Sequence, residues 1–187
     1  ASGSGNHGTS ANTVFREVGS RLAATFTGAL NSCVTVANSP SLSMTNAVTI
    51  SLWYNNLGNP GGPAGFIDKA WKEPAYHDWS YRSWFMYYST GWGGSISCQA
   101  NGSGFATGTG ISGVADNQWY HLVFIANGAQ GVLQIYNNGV LAQQDSFTQF
   151  TLSTGPYPMV IGSMVAQTDN AQTGFNGALD DVRIYDR

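Results

Sequence analysis

The sequence predicts an all-β protein, a two-sheet antiparallel β-sandwich of the jelly-roll type, and three observations carry that expectation. Short runs rich in Val, Ile, Thr and aromatic residues recur along the chain, separated by turn residues every ten or so positions. Glycine is abundant (24 of 187 residues) and aromatics reach 13%, a composition suited to tight turns and pleated strands and poor for helices. No stretch shows the 3.6-residue apolar periodicity of an amphipathic helix.

The strand-like runs are residues 22–26, 33–37, 48–54, 65–70, 83–88, 95–99, 118–126, 131–136, 140–145, 159–162 and 178–185. Val48, Ile50, Leu52 and Tyr54 alternate with Thr49, Ser51 and Trp53, so this strand has two distinct faces. Tyr120, Leu122 and Phe124 oppose Trp119, His121, Val123 and Ile125, which predicts a central strand with little exposure on either face. Asn137-Asn138-Gly139 joins two strand runs as a type I′ hairpin, because Asn-Gly supplies the positive φ values that this turn needs. Residues 55–63 read as a loop punctuated by glycine and proline, and residues 71–82 as a loop carrying two Trp, two Tyr and a His. With no internal repeat, linker or low-complexity tail, residues 1–187 read as one domain.

Charged residues are only 9% of the chain against roughly 25% for an ordinary globular domain, which excludes a coiled coil and a charge-driven disordered chain. A net charge of −3 gives no general attraction for nucleic acid or an anionic membrane. The apolar runs, such as residues 121–126, are too short to span a bilayer. Hydration must come from hydroxyls and amides, a composition expected of secreted, extracellular β-proteins; with no signal peptide, such a protein would be present in mature or excised form. Cys33 and Cys98 each lie in a strand run, so the sequence leaves open one disulfide between neighbouring strands or two free thiols.

The carboxylates argue against hydrolysis of a glycoside. Such chemistry needs two facing acids, and the two Glu, Glu17 and Glu73, fall in separate loop-like segments. No two Asp alternate along a strand, and Asp180 and Asp181 are adjacent, so they point to opposite faces. His77, Tyr76, Tyr81 and Arg82 contain part of what a lyase needs, but as sequence neighbours in a loop they do not converge by themselves.

Seven segments, in order, carry a resemblance to a known family. They are Ser2-Gly-Ser-Gly-Asn-His-Gly-Thr9, Leu22-Ala-Ala-Thr-Phe-Thr-Gly28, Val34-Thr-Val-Ala-Asn-Ser-Pro-Ser-Leu42 and Val48-Thr-Ile-Ser-Leu-Trp53. The others are Gln118-Trp-Tyr-His-Leu-Val-Phe124, Gln134-Ile-Tyr-Asn-Asn-Gly139 and Phe175-Asn-Gly-Ala-Leu-Asp-Asp-Val-Arg-Ile-Tyr185. Together they resemble the laminin-G-like jelly rolls of the concanavalin A-like lectin and glucanase superfamily. The resemblance implies two antiparallel sheets, one curved, and frequent attachment to secreted carbohydrate-active enzymes. In such relatives the opening segment usually follows an Asp, so a chain beginning at Ala1 is expected to have been excised from a larger protein. The resemblance also implies a structural calcium ion (Ca2+) with Asp180 as ligand and Gly28 as carbonyl donor, although Thr27 stands where relatives often carry Asp. Without the ion, Asp180 would cap its turn and Asp181 would pair with Arg183.

Sugar rings present apolar C–H faces that pack on flat aromatic side chains. Trp71, Tyr76, Trp79 and Trp92, in or beside loops, are the candidate platforms or else loop anchors; Lys72 and His77 among them are candidate hydrogen-bond donors. Trp84, Phe85 and Tyr87 are expected in the sandwich core, His121 as a satisfied interior histidine and His7 in solvent. Asp68, Glu73 and Asp78 balance Lys69, Lys72 and Arg82, which favours a neutral glycan. The reading is a non-catalytic module that binds a polysaccharide through loop aromatics and serves an attached catalytic domain. The alternatives are an adhesion or protein-interaction module of the same fold and a small polysaccharide lyase or glycosidase.

Overall fold

The computed structural model describes residues 4–58, 63–70, 82–89, 94–102, 105–164 and 173–187. In chain order the strands are β1 (Gly8–Ala11), β2 (Val14–Val18), β3 (Arg21–Thr27), β4 (Cys33–Val36), β5 (Ala47–Asn56), β6 (Pro63–Ala70), β7 (Arg82–Ser89) and β8 (Ser95–Gly102). There follow β9 (Phe105–Ile111), β10 (Trp119–Asn127), β11 (Val132–Asn137), β12 (Val140–Ser146), β13 (Met159–Ile161), β14 (Thr173–Gly174) and β15 (Asn176–Tyr185). A single 3-10 turn, Pro40–Leu42, is the helical element among the described residues.

One sheet runs β1-β4-β13-β6-β7-β8-β9, with β14 parallel to β6; the other runs β12-β11-β10-β5-β15-β3-β2. Neighbouring strands on these two paths are antiparallel, so the expected two-sheet sandwich is present.

Strand alternation builds the core. Val48, Ile50, Leu52 and Tyr54 of β5 and Leu122, Phe124 and Ala126 of β10 project from one sheet and are fully buried. Phe66, Ile67, Trp84, Met86, Ile96, Cys98 and Ala100 answer them from the other. A register shift between Gly65 and Ile67 lets the consecutive residues Phe66 and Ile67 both join this core. The predicted hairpin joins β11 to β12 with φ of 51° at Asn138 and 80° at Gly139.

Several expectations need correction. Asn55 and Asn56 are not loop residues; they end β5, paired to Trp119 and Gly177, and are buried. Strand β10 is central, between β11 and β5, but only Leu122, Phe124 and Ala126 are buried; Val123 and Ile125 on its other face are half-buried. Cys33 and Cys98 do not lie on neighbouring strands and both are free thiols. The strands β13, β6 and β7 stand between β4 and β8, a separation of about 19 Å at about 4.8 Å per strand, and a disulfide requires Cα atoms within about 7 Å.

Candidate functional site

Strands β7, β8 and β9 form one edge of the first sheet and set the geometry of its outer face. Their register places Tyr87, Ser97 and Gly110 in one row and Phe85, Gln99 and Gly108 in the next. Because 108 and 110 are both glycine, β9 carries no side chain on this face at those positions. A Cβ at Gly108 would lie 2.8 Å from Gln99 Cγ, and one at Gly110 would lie 2.9 Å from the Ile96 carbonyl oxygen. The result is a groove of about 410 Å³ lined by Tyr87, Ser97, Gln99, Gly108, Thr109, Gly110 and Asp145.

The groove's chemistry is neutral and polar. Gln99 Nε2 donates to Tyr87 Oη at 3.4 Å, and the Tyr87 ring stacks on Phe85 with centroids 5.4 Å apart. Burial pushes the Tyr87 phenol above its ordinary pKa, against hydrogen bonds from Ser97 and Gln99 that act the other way, so it is an uncharged hydroxyl at neutral pH. Asp145 supplies a carboxylate to the lining, and Gln143 Nε2 donates to its Oδ1 at 3.0 Å. Among the described residues no cationic side chain lines the groove. An arrangement of hydroxyl, amide and carboxylate around a bare backbone floor can exchange hydrogen bonds with a flat, hydroxyl-rich ligand.

The candidate platforms and donors read from the sequence, Trp71, Lys72, Tyr76, His77, Trp79 and Trp92, lie outside the described residues. Trp84 is in the core between the sheets, as expected. Phe85 and Tyr87 are equally buried but on the outer face, where they cluster with Met164. The charges of this region are not simply balanced at the surface. Arg82 Nε donates to Asp68 Oδ2 at 2.8 Å with both side chains buried. Lys69 is buried too, donating to the carbonyls of Tyr157, Gly155 and Ala70.

His121 is satisfied but sits on the outer face of the second sheet, half-buried, with Nε2 2.9 Å from Ser51 Oγ and its ring 5.0 Å from Trp53. His7 is exposed. Arg21 lies 3.8 Å above the Trp53 ring centroid and donates to Asp180 Oδ2 at 2.8 Å.

Asn176 stands opposite Thr27, beside Gly28, and Asp180 is four residues further along β15, about 13 Å at the rise of a strand. The Asp180 carboxylate is committed to Arg21 through Oδ2 and to the Asp181 N–H through Oδ1, where it caps a kink at which Asp181 has φ 49°. Asp181 in turn pairs with Arg183 Nε at 2.8 Å. Among the described residues no three His, Cys, Asp or Glu gather around a point that could hold a metal.

Residues Ser97, Gln99, Thr109 and Asp145 did not emerge from the sequence as site residues. The available signal was Thr107-Gly108-Thr109-Gly110, in which glycine recurs at the period of a strand and bares one face.

The fold has many solved relatives. The binding domain of Paraclostridial Mosquitocidal Protein 1 superposes with a TM-score of 0.73 at 14% identity, covering 99% of this chain and 45% of that one. The botulinum neurotoxin serotype G binding domain gives 0.69 at 15% identity, covering 99% and 44%. Domain 4 of AbnA, a GH43 extracellular arabinanase from Geobacillus stearothermophilus solved in complex with arabinotriose, gives 0.64 at 20% identity, covering 92% and 74%. The chain thus spans less than half the length of the toxin binding domains that it matches. No curated protein sequence matches it. The family model of the concanavalin A-like lectin/glucanase superfamily, Laminin_G_3, matches residues 27–187, and with the two-sheet sandwich described above this places the chain in that superfamily.

Proposed function

We propose that this protein is a non-catalytic carbohydrate-binding module that holds a neutral polysaccharide on the outer face of the β7–β8–β9 edge. The observation that carries the reading is the groove itself: uncharged Ser97 and Gln99, backed by the buried Tyr87, beside a strand stripped of side chains at Gly108 and Gly110. A sugar ring is flat and bears hydroxyls on its perimeter, and such a site offers it donors and acceptors without a cation to select an acidic polymer. Trp71, Tyr76, Trp79 and Trp92, with Lys72 and His77, remain candidate sugar contacts on their residue types alone, since flat aromatic rings pack on the apolar faces of sugars. Domain 4 of the arabinanase, a fold relative, binds arabinotriose and belongs to an extracellular glycan-degrading enzyme, which supports reading this chain as a secreted module serving an attached catalytic domain.

Affinity electrophoresis and calorimetry against a panel of neutral and acidic polysaccharides, including arabinan, test the reading. Saturable binding to a neutral member is the expected result, weakened about tenfold or more by Gly110→Val, which puts a side chain on the groove floor. Binding to no glycan in the panel, or binding untouched by Gly110→Val and by Gln99→Ala, would overturn it.

A further inference from the structure

A second concavity, away from the groove, opens between the two sheets beside β1. One side of it is apolar, with Val34 from β4, Met159 and Ile161 from β13, Val182 and Ile184 from β15, and Leu42 from the 3-10 turn; Ser4, Asn6, Gly8 and Ser41 form the polar side. Its volume is about 280 Å³, and no charged side chain lines it among the described residues. The mouth is polar and latched: Asn6 Nδ2 donates to Ser41 Oγ at 2.9 Å, and Ser39 Oγ donates to Asn6 Oδ1 at 2.6 Å.

Two features of the fold keep this end of the sandwich open. Strand β1, the edge of the first sheet, is only four residues long. The register shift between Asp180 and Arg183, with Asp181 at φ 49°, carries β15 out of even pairing just where Val182 lies. Val34, Ile161, Val182 and Ile184 are therefore half-buried, although all pack toward the core. Apolar surface left wet in this way is unfavourable by about 25 cal/mol per Å², which a fitting apolar guest would recover.

We propose that this cavity is a binding site for the alkyl chain of a neutral amphiphile. An apolar cavity of about 150 Å³ already takes up benzene, so this volume is ample for a short hydrocarbon chain. The chain would lie against the six aliphatic side chains, and an uncharged head would meet the hydroxyls and amide of Ser41 and Asn6 at the mouth. A charged head would find no counterion in the lining. This inference is independent of glycan binding at the β7–β8–β9 groove.

The test titrates the intact protein with the straight-chain alcohols from 1-butanol to 1-decanol and follows side-chain methyl resonances by NMR. Saturable shifts at Val34, Ile161, Val182 and Ile184 are expected, with affinity rising about fourfold per added methylene, the equivalent of about 0.8 kcal/mol, until the cavity is filled and the gain stops. Ile161→Phe and Val182→Phe, which fill the cavity, should each weaken octanol binding about tenfold or more. The proposal is overturned if these methyls do not shift, if affinity climbs without a plateau, or if shifts appear only at the exposed Val14 and Leu22. The wild-type series decides the matter even if neither variant folds.

Discussion

Arg82 and Asp68 form a buried ion pair on the outer side of the first sheet, Nε to Oδ2 at 2.8 Å, with relative side-chain exposures of 3% and 0%. The Arg82 guanidinium also lies 5.2 Å from the Phe85 ring centroid, and its backbone carbonyl accepts from Asn101 Nδ2 at 2.8 Å. The pair ties β6 to β7, and the Arg82 carbonyl with Asn101 ties β7 to β8, with Asp68 opposite Phe85 in the row that runs on to Gln99 and Gly108.

Breaking that pair should be costly. Asp68→Ala takes from the buried Arg82 guanidinium the carboxylate at 2.8 Å, and a loss of about 3–5 kcal/mol is expected in denaturant unfolding. The double variant Asp68→Leu with Arg82→Met should recover most of the loss, because both desolvation costs disappear together.

Lys69 gives a pH signature. Burial lowers its ammonium from an ordinary value near 10.5 to about 8, with Asp68 acting weakly in the other direction. Between pH 8 and 10.5 the unfolded chain therefore holds a proton that the folded chain has released, and stability rises with pH over that window. The stability of the wild type relative to Lys69→Met, measured at pH 7, 8, 9 and 10, should accordingly increase above pH 8. A flat difference would mean that the carbonyls of Gly155 and Tyr157 hold the ammonium at its ordinary pKa.

Groove contacts should separate from fold. Tyr87→Phe keeps the stack on Phe85 and removes only the hydroxyl that Gln99 meets. Glycan affinity should fall by about 1 kcal/mol, roughly fivefold, with little change in melting temperature. An equal loss of stability and affinity would instead make Tyr87 a packing residue alone.

Asp180→Asn should lose the ion pair to Arg21, whose partners are each about a quarter exposed, and loosen Arg21 over Trp53. A loss of about 1 kcal/mol is expected by thermal or urea unfolding. The same loss with added calcium and with chelator would show that Asp180 acts through Arg21; a loss seen only with calcium would restore it as a metal ligand.

What could be read directly from the chain follows from local pattern. Alternation in residues 48–54 needs nothing beyond a strand with one buried face, and Asn138-Gly139 needs nothing beyond its own backbone preferences, so both emerge as expected. The edge strands β2 and β9 escaped, while the edge strand β12 was read through the hairpin turn that joins it to β11. Val14, Phe15, Arg16 and Glu17 of β2 are all exposed, and the glycines of β9 read as turn residues until a neighbour pairs with them. Asn55 and Asn56 have turn chemistry, overridden by ladders to both β10 and β15.

The order of strands across the sheets lies beyond any local pattern, and that order decided most about the site. It set three strands between Cys33 and Cys98, placed Asp180 against Arg21, and brought Ser97, Gln99 and Gly110 beside Tyr87. The sequence alone determined that this would be a two-sheet sandwich, because periodicity and turn chemistry act over a few residues. Which side chains meet was left to the tertiary structure, because strand pairing joins residues far apart in the chain through backbone hydrogen bonds that carry no record of side-chain identity.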